Sequence, residues 1–221
     1  MGIHEPSIIQ FSKHADLMHM THQGGWQGFA KRLLDKSVAL AGLALLSPVL
    51  LGTAIAIKLD SKGPVIFKQP RHGKGNEVFQ IWKFRTMSVM ETGSDFVQAK
   101  KNDNRITRIG NFLRRTSIDE LPQLVNVLKG EMSLVGPRPH PVALNNQFAL
   151  SINAYWNRHA VTPGLTGLAQ IRGFRGPTDT VRKMQDRVDS DIEYVICWSF
   201  IEDLRILALT PWCVLTGKNA H

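Results

Sequence analysis

The sequence predicts an α/β protein: a small strand-and-helix core resting on a re-entrant membrane helical hairpin, with interfacial amphipathic helices. Three observations predict it. The most apolar run, residues 38–57, is uncharged, broken at its centre by Ser47-Pro48 and flanked by basic residues on both sides. Two segments of strand character, residues 65–69 and 77–84, are joined by Arg71-His-Gly-Lys-Gly-Asn, a glycine-rich turn suited to a hairpin. Later segments, among them residues 105–115 and 181–196, space their apolar residues as helices do.

The chain has 221 residues, enough for a single domain of ordinary size or for two small ones, and a net charge of +9. That charge points to anionic partners: nucleic acid, phospholipid head groups or phosphorylated substrates. The two cysteines, Cys197 and Cys213, lie in apolar C-terminal segments, so they read as buried thiols in a reducing compartment. Nothing suggests a disulfide framework or a zinc site, and the eight histidines show no metal-ligand spacing. There is no internal repeat, P-loop or dinucleotide-binding glycine pattern.

Residues 1–30 are polar, rich in His and Gln and without a period, and read as a flexible leader. Residues 31–60 form the hairpin. About 20 apolar residues suffice to cross a bilayer core, but Pro48 removes a helix hydrogen bond and favours a kink. Lys31, Arg32 and Lys36 precede the run and Lys58 and Lys62 follow it, whereas a spanning helix concentrates basic residues on one side. A bent helix that enters the membrane and returns to the same face satisfies both facts, with Ser47 serving the carbonyls freed at the break. A plain transmembrane anchor is the alternative.

Residues 61–221 make the domain at the cytoplasmic face. Lys83 and Arg85 are two cations two residues apart at the end of the second strand, expected on one side of it. Residues 91–104 read as a polar loop or short helix, 105–115 and 142–159 as helices, and 162–170 as a loop leading into a short strand. Residues 181–196 read as an amphipathic helix with Asp191 near its end. Residues 198–215, interrupted by Pro211, suit either an interfacial membrane helix or an ordinary core helix.

The chain is organised around residues 114–139. Asp119 and Glu120 follow Arg114-Arg115 and a Thr-Ser step. Ser117 with Glu120 has the spacing of a capping box, so a helix start is expected there, and Pro122 agrees with it. A helix start offers unpaired N–H groups and partial positive charge. With Arg114 and Arg115 beside it, a carboxylate stays ionised and a phosphate has its charge answered, a setting for an oxygen nucleophile meeting a phosphoryl group. A well-capped helix with an acidic first turn explains the same residues. Gly136-Pro-Arg138-Pro is a rigid turn that presents Arg138 to phosphate oxygens.

Five stretches, in this order and spacing, resemble the bacterial sugar transferases, or monotopic phosphoglycosyl transferases. They are Lys-Arg-Leu-Leu-Asp35 before Ser47-Pro48, Trp-Lys-Phe-Arg-Thr-Met87, Leu-Arg-Arg-Thr-Ser-Ile-Asp119-Glu120-Leu-Pro-Gln, Gly-Pro-Arg138-Pro, and Thr-Pro-Gly-Leu-Thr-Gly-Leu-Ala-Gln170. The resemblance runs from Lys31 to the C-terminus and is nearest the undecaprenyl-phosphate glucose phosphotransferases. Larger members carry four more membrane helices and a further domain ahead of this core, so a minimal form is expected here. The resemblance implies transfer of a sugar 1-phosphate from a UDP-sugar to undecaprenyl phosphate, with Mg²⁺, as the first step of exopolysaccharide synthesis. The expected location is the bacterial inner membrane, with the catalytic domain on its cytoplasmic face. Asp119 would be the nucleophile, forming a covalent phosphosugar intermediate with release of UMP, and Glu120 its partner, both holding the metal. Arg138, Arg114, Lys83 and Arg85 would bind phosphate.

The segment Arg172-Gly-Phe-Arg175-Gly-Pro-Thr-Asp179-Thr resembles the form found in members that transfer glucose 1-phosphate, and Pro-Arg-Pro-His140 points the same way. Arg172 and Arg175 would pair with the diphosphate or stack on uracil, and Asp179 would accept hydrogen bonds from the sugar. Asp191 matches an acidic position of the family's catalytic core. UDP-glucose is the expected donor, with UDP-galactose or a UDP-acetamido sugar as the alternative. The implied partners are the donor, the lipid acceptor and inner-membrane phospholipids; a homo-oligomer stays open. Nucleic acid is not expected, since it leaves the uncharged run unexplained. A non-catalytic membrane adaptor is the alternative of a different class, against which the Asp119-Glu120 pair argues. A phosphatase working through a phospho-aspartate would need water as its acceptor.

Overall fold

The computed structural model describes residues 25–88, 103–176 and 178–216. The leader up to residue 24 and nearly all of the loop expected at 91–104 lie outside the described residues. Helix α1 (Gly25–Leu45) starts ahead of residue 31, and it is bent by 62° from helix α2 (Ser47–Asp60). The cause is local. Pro48 has no N–H to give Ala44, four residues back, and the Ser47 hydroxyl donates to the Ala44 carbonyl instead, at 2.8 Å. This is the role expected of Ser47. Among the described residues no single helix is long and apolar enough to cross a membrane, whereas the bent pair together passes by length and composition.

Strands β1 (Ile66–His72) and β2 (Val78–Phe84) form the predicted antiparallel hairpin, with Ile66 opposite Phe84 and His72 opposite Val78. Its turn needs a positive φ, and Gly75 supplies one at 63°. Helix α3 (Arg108–Thr116) and helix α4 (Gln123–Lys129) lead to strand β3 (Ser133–Val135). Helix α5 (Val142–Ala149) follows, then strand β4 (Gly164–Thr166), which lies parallel to β3. Helices α6 (Leu168–Ile171), α7 (Val181–Cys197) and α8 (Phe200–Thr216) complete the described chain. The main core gathers Phe79 and Ile81 of β2, Leu124 and Val127 of α4, Leu134 and Val135 of β3, Tyr194 of α7 and Ile206 of α8. The hairpin joins it through Ala39, which is fully buried.

Three expectations are corrected. Residues 142–159 are not one helix: α5 stops at Ala149, and a 3-10 run, Tyr155–Ala160, begins after Ala154 at a φ of 58°. The intervening Ser151 and Asn153 compete with helical hydrogen bonding and favour turns. The short strand lies at Gly164–Thr166, before a helical turn, because its backbone pairs with β3 there. Gly136 and Gly164 approach so closely that a Cβ on Gly164 would collide with the Gly136 backbone. The cysteines are not buried: Cys197 is exposed, and Cys213 is half-buried because it borders a cavity, its thiol 3.6 Å from the Ile171 carbonyl.

Two-stranded sheets are marginal alone, and here helix side chains complete their open edges. On β2, the Asn126 amide accepts from the Trp82 N–H at 3.0 Å and donates to the Gln80 carbonyl at 2.7 Å. On β3, Asp35 of α1 accepts from the Leu134 N–H at 2.9 Å, and Lys31, one turn away, donates to the Val135 carbonyl at 3.0 Å. Lys31 also pairs with buried Asp203 of α8 at 2.6 Å. The Lys-Arg-Leu-Leu-Asp35 stretch therefore fastens the hairpin to the strand that precedes the Arg138 turn.

Candidate active site

Helix α3 is capped at its start by Thr107, whose side chain accepts from the Gly110 N–H. It ends at Ser117, which takes a left-handed φ of 59°; a 3-10 turn, Ile118–Glu120, carries the two carboxylates into α4. The expected capping box does not form. The Ser117 hydroxyl accepts from Arg175 at 2.6 Å, and Glu120 turns away from the helix toward cations. Charge-assisted bonds to Lys83 and Arg138 outweigh one bond to a backbone N–H. The guanidinium of Arg138 forks onto both oxygens of Glu120, and Lys83 donates to Glu120 Oε1 at 2.9 Å.

These contacts separate the two carboxylates electrostatically. Burial alone would push Glu120 up, but Arg138 and Lys83 hold it well below the usual carboxylate range. Asp119, only 9 % exposed, is pushed up to about 6 by burial and then by the charge of Glu120. Lys83, Arg138 and Arg114 pull the other way through their charge. The field of a helix start thus fails to keep Asp119 at an ordinary value, because desolvation is the larger effect. At neutral pH Asp119 is ionised and stands close to its own proton affinity, beside three cations. A buried oxygen nucleophile facing a phosphate has these properties.

The turn bearing Arg138 is held from behind. The Arg158 guanidinium donates to the Arg138 carbonyl at 2.7 Å, and Arg71 donates to the Pro139 carbonyl at 3.0 Å. Arg158 is fully buried and is itself held by Asp191, through Nε at 3.0 Å and Nη2 at 2.6 Å. His140 lies between Arg158 and Arg187, and Arg187 donates to the carbonyls of Phe174 and Gly176. One buried network therefore connects the Arg138 turn to the loop that carries Arg175.

Of the residues expected at the site, Asp119, Glu120, Arg138 and Lys83 come together, with Arg114 acting through its field and Arg175 reaching Ser117. The rest do not join them. Arg85 leaves the line of the strand, whose last residue is Phe84, and its guanidinium donates to the carbonyls of Ile57, Ser61 and Lys62 at the end of α2. It caps a helix rather than offering itself to phosphate. Asp191, 1 % exposed, is the counter-ion of Arg158 and not a group of the cleft. Arg172 pairs with Glu193 and Asp179 with Lys183, both on the exposed surface. Sequence reasoning missed Arg158 and Arg187, and it named His140 only as part of a motif, without a place in the site. For Arg187 a signal existed: it shares a helix face with Met184, Val188 and Asp191, and a charge on an apolar stripe calls for a buried partner.

A cavity of about 320 Å³ opens beside the carboxylates, lined by Ser117, Glu120 and Arg175 on one side and by Leu134, Leu165, Leu207 and Pro211 elsewhere. Among the described residues no group of three His, Cys, Asp or Glu side chains stands ready for a metal. Mg²⁺ needs no such cage, since it is commonly held by one or two carboxylates with substrate phosphate and water. Asp119 and Glu120 fit that mode, Asp119 the more readily because both oxygens of Glu120 already receive cations.

Residues 26–217 match the profile of a family described as bacterial sugar transferase. The chain is similar to a UDP-glucose:undecaprenyl-phosphate glucose-1-phosphate transferase of Escherichia coli, 50% identical over 204 residues, which are 92% of this chain and 44% of that protein. It is similar to one of the same name from Caulobacter vibrioides, 51% identical over 86% of this chain and 72% of the relative. An exopolysaccharide production protein of Rhizobium leguminosarum is 49% identical over 86% of this chain and 97% of its own length. The chain thus spans less than half of the first of these relatives and most of the other two.

Proposed function

Because this chain belongs to the bacterial sugar transferase family, we propose that it moves glucose 1-phosphate from UDP-glucose to undecaprenyl phosphate. This would be the first step of exopolysaccharide synthesis. The observation that carries the reading is Asp119, buried, ionised at neutral pH and set beside Lys83, Arg138 and Arg114. An ionised Oδ of Asp119 attacks the phosphorus that bears the sugar. The bond from that phosphorus to the oxygen bridging the two phosphates breaks, and UMP leaves with the electron pair. A phosphate oxygen of the lipid then attacks the same phosphorus, the Asp119 ester bond breaks, and the carboxylate is regenerated.

Glu120 is the fixed anion that holds Arg138 and Lys83 in place, and those two cations answer the charge on the transferring phosphoryl group. Arg175 stands at the loop side of the same cleft. Mg²⁺, when bound by Asp119 and Glu120, supplies further neutralisation of phosphate charge. The hairpin would lie re-entrant in the inner leaflet of the bacterial inner membrane, the catalytic face toward the cytoplasm. It exposes Leu40, Leu45, Leu51 and Ile55 outward, a surface that water does not favour.

Two measurements test the reading. UDP-glucose, UDP-galactose and UDP-N-acetylglucosamine are competed, each labelled in the sugar, in one membrane preparation. Label is expected on the lipid chiefly from UDP-glucose; label chiefly from another donor would remove the glucose assignment alone. Without lipid acceptor, labelled phosphosugar is expected on Asp119 by mass spectrometry, and its absence while transfer proceeds would remove the covalent step.

A further inference from the structure

We infer that the cavity beside the carboxylates seats the first isoprenyl units of the acceptor lipid, with its phosphate toward Glu120 and Arg175; this rests on the transferase reading above. The lining decides between a hydrocarbon and a polar ligand. Leu134, Leu165, Leu207 and Pro211 form apolar walls. The threonine hydroxyls of the lining are already engaged. Thr116 donates to the carbonyls of Phe112 and Leu113, Thr166 and Thr210 bond each other at 2.8 Å, and Thr210 contacts the Ile206 carbonyl at 2.7 Å. Of the buried polar side-chain atoms that line the cavity, Gln170 Oε1 lacks a partner. A sugar or a uracil seated there would leave several of its own polar groups unpaired, which costs free energy that a hydrocarbon does not face.

The position of the cavity agrees. Its polar side holds Glu120, the residue next to Asp119, so a phosphate whose chain fills the apolar side arrives among the catalytic cations. Helix α8 supplies Leu207, Thr210, Pro211 and Cys213 to the wall, and its other residues Ile201, Leu209 and Trp212 face outward. A helix with apolar residues on both sides lets hydrocarbon pass from a lipid phase to the cavity without an aqueous step. Pro211 also deprives the Leu207 carbonyl of its helix donor where α8 borders the cavity.

Cys213 makes this testable without reference to turnover, because it lines the cavity and is half-buried. In the full chain carrying Cys197→Ser, Cys213 is the remaining thiol, and its alkylation by N-ethylmaleimide is timed in detergent. Geranylgeranyl phosphate at ten times its Kd is expected to slow the reaction about tenfold, since roughly one chain in ten is then free. UDP-glucose and inorganic phosphate are expected to leave the rate unchanged. Slowing by UDP-glucose would give the cavity to the donor and overturn the inference, as would no slowing by any of the three. In transfer assays, acceptor KM is expected to fall as isoprenyl units are added until the cavity is full. Leu207→Asp is expected to raise the KM of long acceptors by about tenfold or more; an unchanged KM overturns the inference. If the parent chain transfers nothing to any lipid, the transferase reading fails, and thiol protection still decides the cavity.

Discussion

Asp119→Asn should stabilise the protein while ending its activity. In the fold, Asp119 titrates at about 6 against an ordinary 3.8. Its proton-bound form is therefore the one the fold prefers. That preference is fully present below about pH 3.8 and is lost as pH rises through about 6. Every tenfold rise in proton affinity is worth about 1.36 kcal/mol, so ionised Asp119 costs the folded state about 3 kcal/mol at neutral pH. Asparagine keeps the shape and carries no charge at any pH. The variant should melt roughly 6–12 °C above its parent at pH 7.5, given about 2–4 °C per kcal/mol for a chain of this size. At pH 4 the two should melt nearly together. Thermal unfolding of both proteins in the same detergent, from pH 4 to 8, measures the gap. A variant no more stable than its parent at pH 7.5, or a gap that ignores pH, would refute the assignment of burial as the dominant effect. The same titration should appear in the parent's kcat/KM, which should fall about tenfold per pH unit below about 6.

Arg138→Ala should lower transfer by about 10²–10³, because a charge-stabilising donor is lost, and a loss under tenfold in steady-state kinetics would leave Arg138 with only a turn to shape. Pro48→Ala restores the missing N–H donor to Ala44 and should let α1 and α2 straighten into one spanning helix in part of the population. In the parent, cysteine probes in residues 1–30 should be reached from the cytoplasm alone; reaction from the periplasm would refute the re-entrant hairpin.

Much of the fold was legible because its signals are local. The kink needed only Ser47-Pro48, and the hairpin only two strand patterns and a glycine-rich turn. The carboxylate pair and the Arg138 turn were legible for the same reason, each being a short stretch of unusual composition. What failed was long-range. Whether Ser117 caps a helix or receives Arg175 depends on a loop 58 residues away. Whether Arg85 meets a phosphate or the end of α2 depends on where that helix stops. Asp191 stood out as an acid near a helix end, but its partner Arg158 sits 33 residues earlier, in a 3-10 run that no periodicity marks. The raised proton affinity of Asp119 was not legible either, because spacing along a chain carries no information about desolvation.

The use of Lys31 and Asp35 in place of a third strand bears on how this protein can be handled. A hairpin that merely tethers a domain can be deleted to obtain a soluble fragment. Here deletion would strip Leu134 and Val135 of two hydrogen-bonding partners, leave Asp203 without its cation, and bare a strand edge of the kind that recruits other chains. The fragment would be expected to aggregate, and with a disordered Arg138 turn. Solubilisation should instead keep both helices and replace the outward leucines of the hairpin, such as Leu40, Leu45 and Leu51, with polar residues. Evolution would face the same restriction: the hairpin can change its outward surface freely, but it cannot be lost without rebuilding the sheet.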